Sequence, residues 1–437
     1  MALPRNPLFW AVSLGHFTID MFNGSGSVLM AFLAGHILQL SNTQIGLAIS
    51  LYQLLSAVSQ PLFGWMADRN GGRWIGAGGV AWTVGMLVLA LLTAAATGSY
   101  VLMLIPFVLA ALGSGALHPV GAMHAADVDK TRAASNTAIF FMMGQMGLAL
   151  GPALTGLLLD SAATHNNVLF MEALGPAFNG RLIEHGAVEP FLLLALMAIP
   201  GVLFMALALP NKHVHAQGQL AEQKTATQVT RQVPRTALPL LVLIVTLRSF
   251  INPGIVAFIP VLFQSRGWSA AEYGFITSIY WFASGIAGIG AGYLADRYGS
   301  RNIIAVSMIL AGPPLFLLAT VDSSAALIFA VAAGAFGGGS HSLIVVMAQR
   351  LLPGRKGLAS GATLGFIFGA GALGTLIIGG LSDQIGLEAS FQIVAVTAVG
   401  AGLLAFLLPA DRYLRPQAPP PPIPADADPA PTPVGAD

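Results

Sequence analysis

Long apolar runs separated by short polar turns recur along this chain, and each is near the roughly 20 mostly apolar residues that a helix needs to cross a bilayer. In the first half the runs fall near residues 8–36, 43–67, 74–96, 99–126, 133–159 and 190–209. In the second they fall near 237–264, 270–295, 302–320, 324–350, 356–381 and 388–409. Glycine and proline inside them are compatible with helices, because neighbouring membrane helices re-satisfy the freed backbone groups. The pattern predicts an all-α membrane protein of twelve transmembrane helices. A six-helix half over residues 1–210 and another over 237–410 are joined by a polar, cytoplasmic linker over 211–236. The tail over 411–437 is rich in Pro and Ala, cannot build a packed core and is expected to be disordered. The segment from Asp160 to Glu189 is expected to form an external loop longer than its neighbours.

Composition agrees with the pattern: 55% of the 437 residues are hydrophobic and only 8% charged, far from a soluble domain. A net charge of +1 does not supply the basic surface that nucleic acid requires. The absence of cysteine excludes disulfides and thiolate metal sites. No phosphate-binding G-x-x-x-x-G-K-[ST] loop occurs, so ATP-driven work is not indicated, a gradient is the remaining energy source and no cofactor is expected. The first apolar run is too long for a signal-peptide core and is expected to be an uncleaved span. With both termini in the cytoplasm, 16 of the 19 Lys and Arg fall on that side, Arg181 and Arg266 outside, and Arg248 within a span.

Against this background one carboxylate stands out. The stretch GHFTIDMFNGSG over residues 15–26 puts Asp20 about mid-span, whereas the other Asp and Glu fall in loops, span ends or tails. A charge inside the membrane is costly and points to an ion pathway or relay. His16, four residues before, and Asn23, three after, share its helix face. The alternative is a purely structural ion pair or interhelical hydrogen bond.

The chain also repeats itself. GWMADRNGGR, from Gly64 to Arg73, recurs as GYLADRYGSR, from Gly292 to Arg301, displaced by 228 residues. The same offset relates Ser41, Gly46, Ser50 and Tyr52 to Ser269, Gly274, Ser278 and Tyr280. A second offset of 223 relates Gly115, His118, Arg132, Gly151 and Asp160 to Gly338, His341, Arg355, Gly374 and Asp383. Six spans are therefore duplicated in parallel, and the first offset carries Asp20 onto Arg248, the basic residue within a span. Acid and base should face each other between the halves.

This duplicated architecture resembles the major facilitator superfamily, in which two halves rock about a midplane site. The repeated turn resembles that superfamily's signature between its second and third spans: Gly64, Asp68, Arg69, Gly71 and Arg73, then Gly292, Asp296, Arg297, Gly299 and Arg301. A charged turn that only fixes topology would also account for it. Since the first, fourth, seventh and tenth spans line the cavity in that superfamily, the resemblance implies a ring of His16, Asp20, Asn23, His118, Arg248, Asn252 and His341. Either of His118 and His341, which follow Gly-rich runs, could instead simply bond a neighbouring backbone. Gln53, Gln60, Gln145, Tyr280 and Trp281 are weaker candidates, for which packing is the other role. GLALGPALTG, with Gly147, Gly151, Pro152 and Gly156, resembles the superfamily's antiporter pattern but has Thr155 where a Gly is expected; close helix packing would also explain it.

Several segments together, GHFTID, SNTQIGLAISLYQLLSAVSQPLFGWMADR, GSGALHPVGAMHAAD and LRSFINPGIVAFIP, resemble the fosmidomycin-resistance-type branch of the superfamily. That resemblance implies proton-coupled efflux of a small, often anionic compound by a multi-pass protein of the plasma (inner) membrane. The expected partners are a small-molecule substrate, protons and the lipid bilayer, with the protein a monomer. The expected coupling runs through an Asp20 and Arg248 pair, where proton and anion compete. An uptake symporter using the same pair remains open, as do, more remotely, a membrane sensor and a metal-dependent membrane enzyme. No metal is expected, because no close His spacing supports one.

Overall fold

The computed structural model describes residues 4–70, 72–129, 133–163, 189–210, 236–340, 343, 344, 347 and 356–410. The linker, the tail and most of the Asp160 to Glu189 segment lie outside the described residues, as do Gly71 and His341. Helix α1, Pro7–Leu33, starts where the Asn6 side chain accepts the Leu8 N–H at 2.9 Å and Pro7 takes the first helical position. It continues through a π-helical turn, Ala34–Leu38. Then follow α2 (Asn42–Asn70), α3 (Arg73–Thr97), α4 (Tyr100–Asp127), α5 (Ala133–Ala163), α6 (Glu189–Leu196) and α7 (Ala198–Ala208). The second half comprises α8 (Ala237–Ser249), α9 (Ile259–Ser265), α10 (Ala270–Tyr298), α11 (Ser300–Thr320), α12 (Ala326–Gly339), α13 (Lys356–Ile385) and α14 (Leu387–Ala405).

Among the described residues ten helices are long and apolar enough to cross a membrane, and two shorter apolar helices, Leu193–Ala208 and Ala326–Gly339, occupy the sixth and tenth predicted spans. Two predicted spans are not continuous helices. The sixth is interrupted at Met197, between α6 and α7. The seventh breaks between α8 and α9, where Asn252 is extended at φ −150° and ψ 109° just before Pro253. Proline lacks the N–H that would continue the ladder, and it pushes the residue before it out of the helical region.

The halves meet along two helix pairs, α2 with α13 and α5 with α10. At one end Asp383 of α13 accepts the Asn42 and Thr43 N–H groups, both at 2.8 Å, and the Thr43 hydroxyl at 2.5 Å. A carboxylate from one half thus caps a helix N-terminus of the other, satisfying orphan donors and meeting the positive end of the dipole. Deeper in, the Ser50 hydroxyl donates to the Ala372 carbonyl at 2.6 Å, and the Ala153 N–H donates to the Ser278 hydroxyl at 2.8 Å. Toward the other end α10 is less crowded. Nothing lies within 4 Å of where a Cβ would stand on Gly288, Gly290 or Gly292, and Trp65 is 51% exposed. Among the described residues, side-chain hydrogen bonds join the halves toward the Asp383 end and none joins them at the end carrying Arg69 and Arg297.

The Asp383 cap holds the halves together at its end. Losing such a cap costs about 1 kcal/mol, so Asp383→Ala should raise the population opened at this end about fivefold. Because the chain has no cysteine, spin labels on Gln39→Cys and Gln384→Cys can report the distance directly. An unchanged distance distribution in the variant would show that the contact between halves does not depend on this carboxylate.

Candidate functional site

A cavity of about 1000 Å³ lies between the halves. Aromatic and apolar side chains make most of its wall, including Phe22, Trp65, Phe107, Phe141, Trp281 and Phe368. Polar groups enter mainly from the first half: His16, Asp20, Asn23, Tyr52, Gln53, Gln60, Ser114, His118 and Gln145.

Asp20 is 7% exposed and surrounded by side chains that can hydrogen-bond it. Helical spacing on α1 sets two of them. His16 Nε2 lies 3.1 Å from Asp20 Oδ2, and Asn23 donates to Asp20 Oδ1 at 2.9 Å. The third comes from α4, where His118 Nε2 lies 3.4 Å from Asp20 Oδ1. The outer ring nitrogens are anchored as well: His16 Nδ1 donates to the Phe140 carbonyl of α5 at 2.8 Å, and His118 Nδ1 to the Ser114 carbonyl at 2.7 Å. His16 also stacks on Phe140, ring centroids 4.0 Å apart. Asn23 is held in turn, donating to the Ser114 hydroxyl at 3.2 Å and accepting from the Tyr52 hydroxyl at 2.5 Å. Each imidazole is thereby fixed in rotation, and the carboxylate has a partner on both oxygens.

Glycine makes room for this cluster. A Cβ on Gly144 of α5 would run into His16 and Asp20. One and two turns on, Gly147 and Gly151 pack against the Phe17 and Met21 carbonyls of α1. On another side of α5, the Pro152 carbonyl meets Gly274 and Gly156 meets the Ala270 carbonyl, both of α10. The antiporter-like residues therefore sit at two interfaces at once. Sequence reasoning missed Gly144, Tyr52 and Ser114 as cluster residues. The spacing of Gly144 from Gly147 and Gly151, which places all three on one helix face, was the available signal.

Arg248 of α8 is placed otherwise. Only 2% exposed, it donates from Nε to the Ser340 hydroxyl at 2.8 Å, from Nη2 to the Gly337 carbonyl at 3.2 Å and from Nη1 to the Asn252 carbonyl at 3.4 Å. No ion pair joins it to Asp20 in this conformation, and neither Arg248 nor Asn252 lines the cavity. The expected ring is thus divided. His16, Asp20, Asn23 and His118 are brought together, Arg248 and Asn252 form a separate buried contact, and His341 lies outside the described residues. Acid and base hold equivalent sequence positions, but the short-range partners of each come from its own half.

The repeated turns have matching anchors. Arg73 Nε donates to the Leu209 carbonyl at 2.5 Å and Arg301 Nη1 to the Leu408 carbonyl at 3.4 Å, so each ties the start of its half's third span to the end of its last. Arg69 lies over the Trp65 ring at 4.2 Å and Arg297 over the Tyr298 ring at 5.5 Å. Gly64 lines the cavity, Gly292 is in open space, and Gly299 sits at φ 89°, a conformation that favours glycine, between α10 and α11. Asp296 is exposed, and the side chain of Asp68 lies outside the described residues. Among the described residues, His16, Asp20 and His118 form the group that could hold a metal ion, their donor atoms lying within 4.8 Å of one another.

Two six-helix halves around a central cavity, joined by hydrogen bonds toward one end and walled by a buried carboxylate, define a secondary transporter rather than an enzyme. The Major Facilitator Superfamily model matches residues 12–270 and 240–434, and the chain belongs to that family. It is 27% identical to the fosmidomycin resistance protein of Escherichia coli (strain K12), over 92% of this chain and 93% of that one. Its fold is similar to that of a bacterial homologue of the human lysosomal transporter Spinster in an inward-facing, unoccupied conformation, with a TM-score of 0.70, 17% identity and coverage of 92% and 96%. It is also similar to a D-xylose–proton symporter, with a TM-score of 0.69, 14% identity and coverage of 93% and 98%.

Overfilling the α1–α5 contact should damage the cluster. Overpacking costs about 1–3 kcal/mol, so Gly144→Val should lower the thermal midpoint of the detergent-purified protein. Gly85→Ala, where nothing lies within 4 Å, should not. Equal midpoints for both variants would show that the close approach at Gly144 is not required.

Proposed function

We propose that this protein is a proton-coupled exporter of a small anionic compound, working as a monomer in the plasma (inner) membrane by alternating access. The observation that carries this is the Asp20 carboxylate at the cavity wall with an imidazole on each oxygen, a grouping that can take up and release protons where substrate must pass. Similarity to a fosmidomycin resistance protein supports export and a phosphonate-like cargo.

Coupling belongs, in this reading, to Asp20 and its histidines, with His16, Asn23 and His118 as cavity residues. Arg248 and Asn252, with His341 of the repeat-related pair, are assigned to the substrate side. Arg248 is a buried guanidinium held by one hydroxyl and two carbonyls, so movement of the second half that frees it offers an anion a charge-assisted, two-pronged partner. Gly64, Gly292 and the Arg-bearing turns act as switch elements at the end away from Asp383, and the Gly147 to Gly156 stretch as the packing strip that holds α1 and against which α10 of the other half moves. Reversed flux through the same residues would make an uptake symporter. A sugar–proton symporter with this fold supports keeping that second reading.

Proteoliposomes decide between them. Phosphonates and other small anions are screened for substrate-induced proton movement with wild type and Asp20→Asn. Export coupling predicts proton and substrate moving in opposite directions in wild type, and loss of proton movement in the variant. Movement in the same direction would establish the symporter, and transport without any proton movement would leave Asp20 structural. Orientation has its own check: Ser323→Cys should react with an impermeant maleimide on intact cells, and Tyr298→Cys only after lysis. The opposite pattern would invert the proposed topology.

A further inference from the structure

His16 and His118 stand far apart in the chain, so no sequence spacing pairs them as metal ligands, yet the fold sets both against Asp20. A carbonyl oxygen has no hydrogen to give. Each Nδ1, 2.8 Å from the Phe140 carbonyl in His16 and 2.7 Å from the Ser114 carbonyl in His118, is therefore the N–H donor. In the neutral ring that leaves a lone pair on Nε2. Two imidazole nitrogens and a carboxylate thus converge, with the outer nitrogens tied to backbone oxygen. Proteins use this arrangement to fix the tautomer and direction of metal-bound histidine.

The spacing fits a metal ion better than a direct contact. His16 Nε2 lies 3.1 Å from Oδ2 and His118 Nε2 lies 3.4 Å from Oδ1. Charge-assisted N–H···O bonds draw in to about 2.7–2.9 Å. Ligand atoms bonded to one first-row metal ion at about 2.0–2.2 Å stand about 2.8–3.6 Å apart in octahedral or tetrahedral geometry. All three donors lie within 4.8 Å of one another.

The surroundings suit a cation. Among the described residues, those lining the cavity include Asp20 but no Lys or Arg, and no Lys or Arg pairs with Asp20. Gly144 of α5 backs the cluster, since a Cβ there would run into His16 and Asp20. Asn23 steadies Oδ1 at 2.9 Å and is itself held by Tyr52 and Ser114. The His118 side chain is 20% exposed and that of His16 3%. The His118 side is therefore the way in from the cavity.

We propose that His16, Asp20 and His118 bind one divalent transition-metal ion of the zinc or cobalt type, through the two Nε2 atoms and the carboxylate, with an open position on the cavity side. Two nitrogen donors favour such an ion over Mg²⁺ and Ca²⁺, which take oxygen ligands. The bound ion ties α1 to α4 through their side chains. Resting on the proton-coupled reading above, it also fills the lone pairs that protons would use, so metal binding should arrest transport.

Purified full-length protein without a polyhistidine tag, stripped with EDTA and titrated with Co²⁺, tests the site without any transport. One equivalent should bind and give the visible absorption of cobalt held by nitrogen and oxygen, displaced by Zn²⁺ and retained in excess Mg²⁺ and Ca²⁺. Asp20→Asn and His118→Gln should each weaken Co²⁺ binding by at least about tenfold, the loss that even outer-shell changes bring to metal sites. His36→Gln, at a histidine bonded within its own helix, should not. If a variant fails to fold, pulsed EPR of Cu²⁺ on the wild type counts the coordinating imidazoles, and two are expected. No stoichiometric binding, binding that Asp20→Asn and His118→Gln retain in full, or fewer than two imidazoles would each overturn the site. In proteoliposomes, proton movement that Zn²⁺ abolishes supports it, and movement undiminished at saturating Zn²⁺ overturns it. If cobalt binds as expected while no proton movement is seen even without metal, the site stands and the exporter reading fails.

Discussion

A carboxylate buried among membrane helices is the constraint around which this molecule is arranged. An Asp at mid-span costs about 3 kcal/mol to insert, and at 7% exposure Asp20 draws its partners largely from protein. They come from four helices: His16 and Asn23 of α1, His118 and Ser114 of α4, Tyr52 of α2, and the Phe140 carbonyl of α5 that fixes His16. The inner half of the cavity is in effect the solvation shell of one residue. Whatever changes the charge of Asp20 must also change how these four helices hold one another.

Close backbone approach makes that shell rigid. Lipid is as apolar as the helices, so packing rather than hydrophobic exclusion drives their association. Gly144, Gly147 and Gly151 let α5 lie against α1 along one face, and Gly156 with Gly274 lets the other side of α5 lie against α10. The same helix therefore supports the Asp20 cluster and one of the two seams between halves. Beyond Gly285, nothing lies within 4 Å of where a Cβ would stand on Gly288, Gly290 or Gly292 of α10. A half that pivots at the Asp383 end carries the cluster with it as a unit.

Arg248 makes the corresponding point for the second half. The internal repeat places it at the position of Asp20, yet its hydrogens go to Ser340, Gly337 and Asn252. The halves share their backbone plan and differ in their chemistry: carboxylate and imidazole in one, guanidinium and carbonyl in the other. Such division keeps the buried carboxylate and the buried guanidinium in separate hydrogen-bonded settings, one in each half.

Hydrophobic period and repeat spacing alone determined the number of spans, the duplication and the place of Asp20 within a span, because each depends on residue type and sequence distance. Local pairing on one helix was equally legible: His16 and Asn23 follow from spacings of four and three. What only the tertiary structure decided were contacts between elements far apart in the chain. His118 beside Asp20, Gly144 beneath both, Asp383 on the N-terminus of α2, and the distance between Asp20 and Arg248 all depend on helix rotation and register. Those are set by the summed fit of many small residues across each interface, a sum that periodicity along one strand of sequence does not contain.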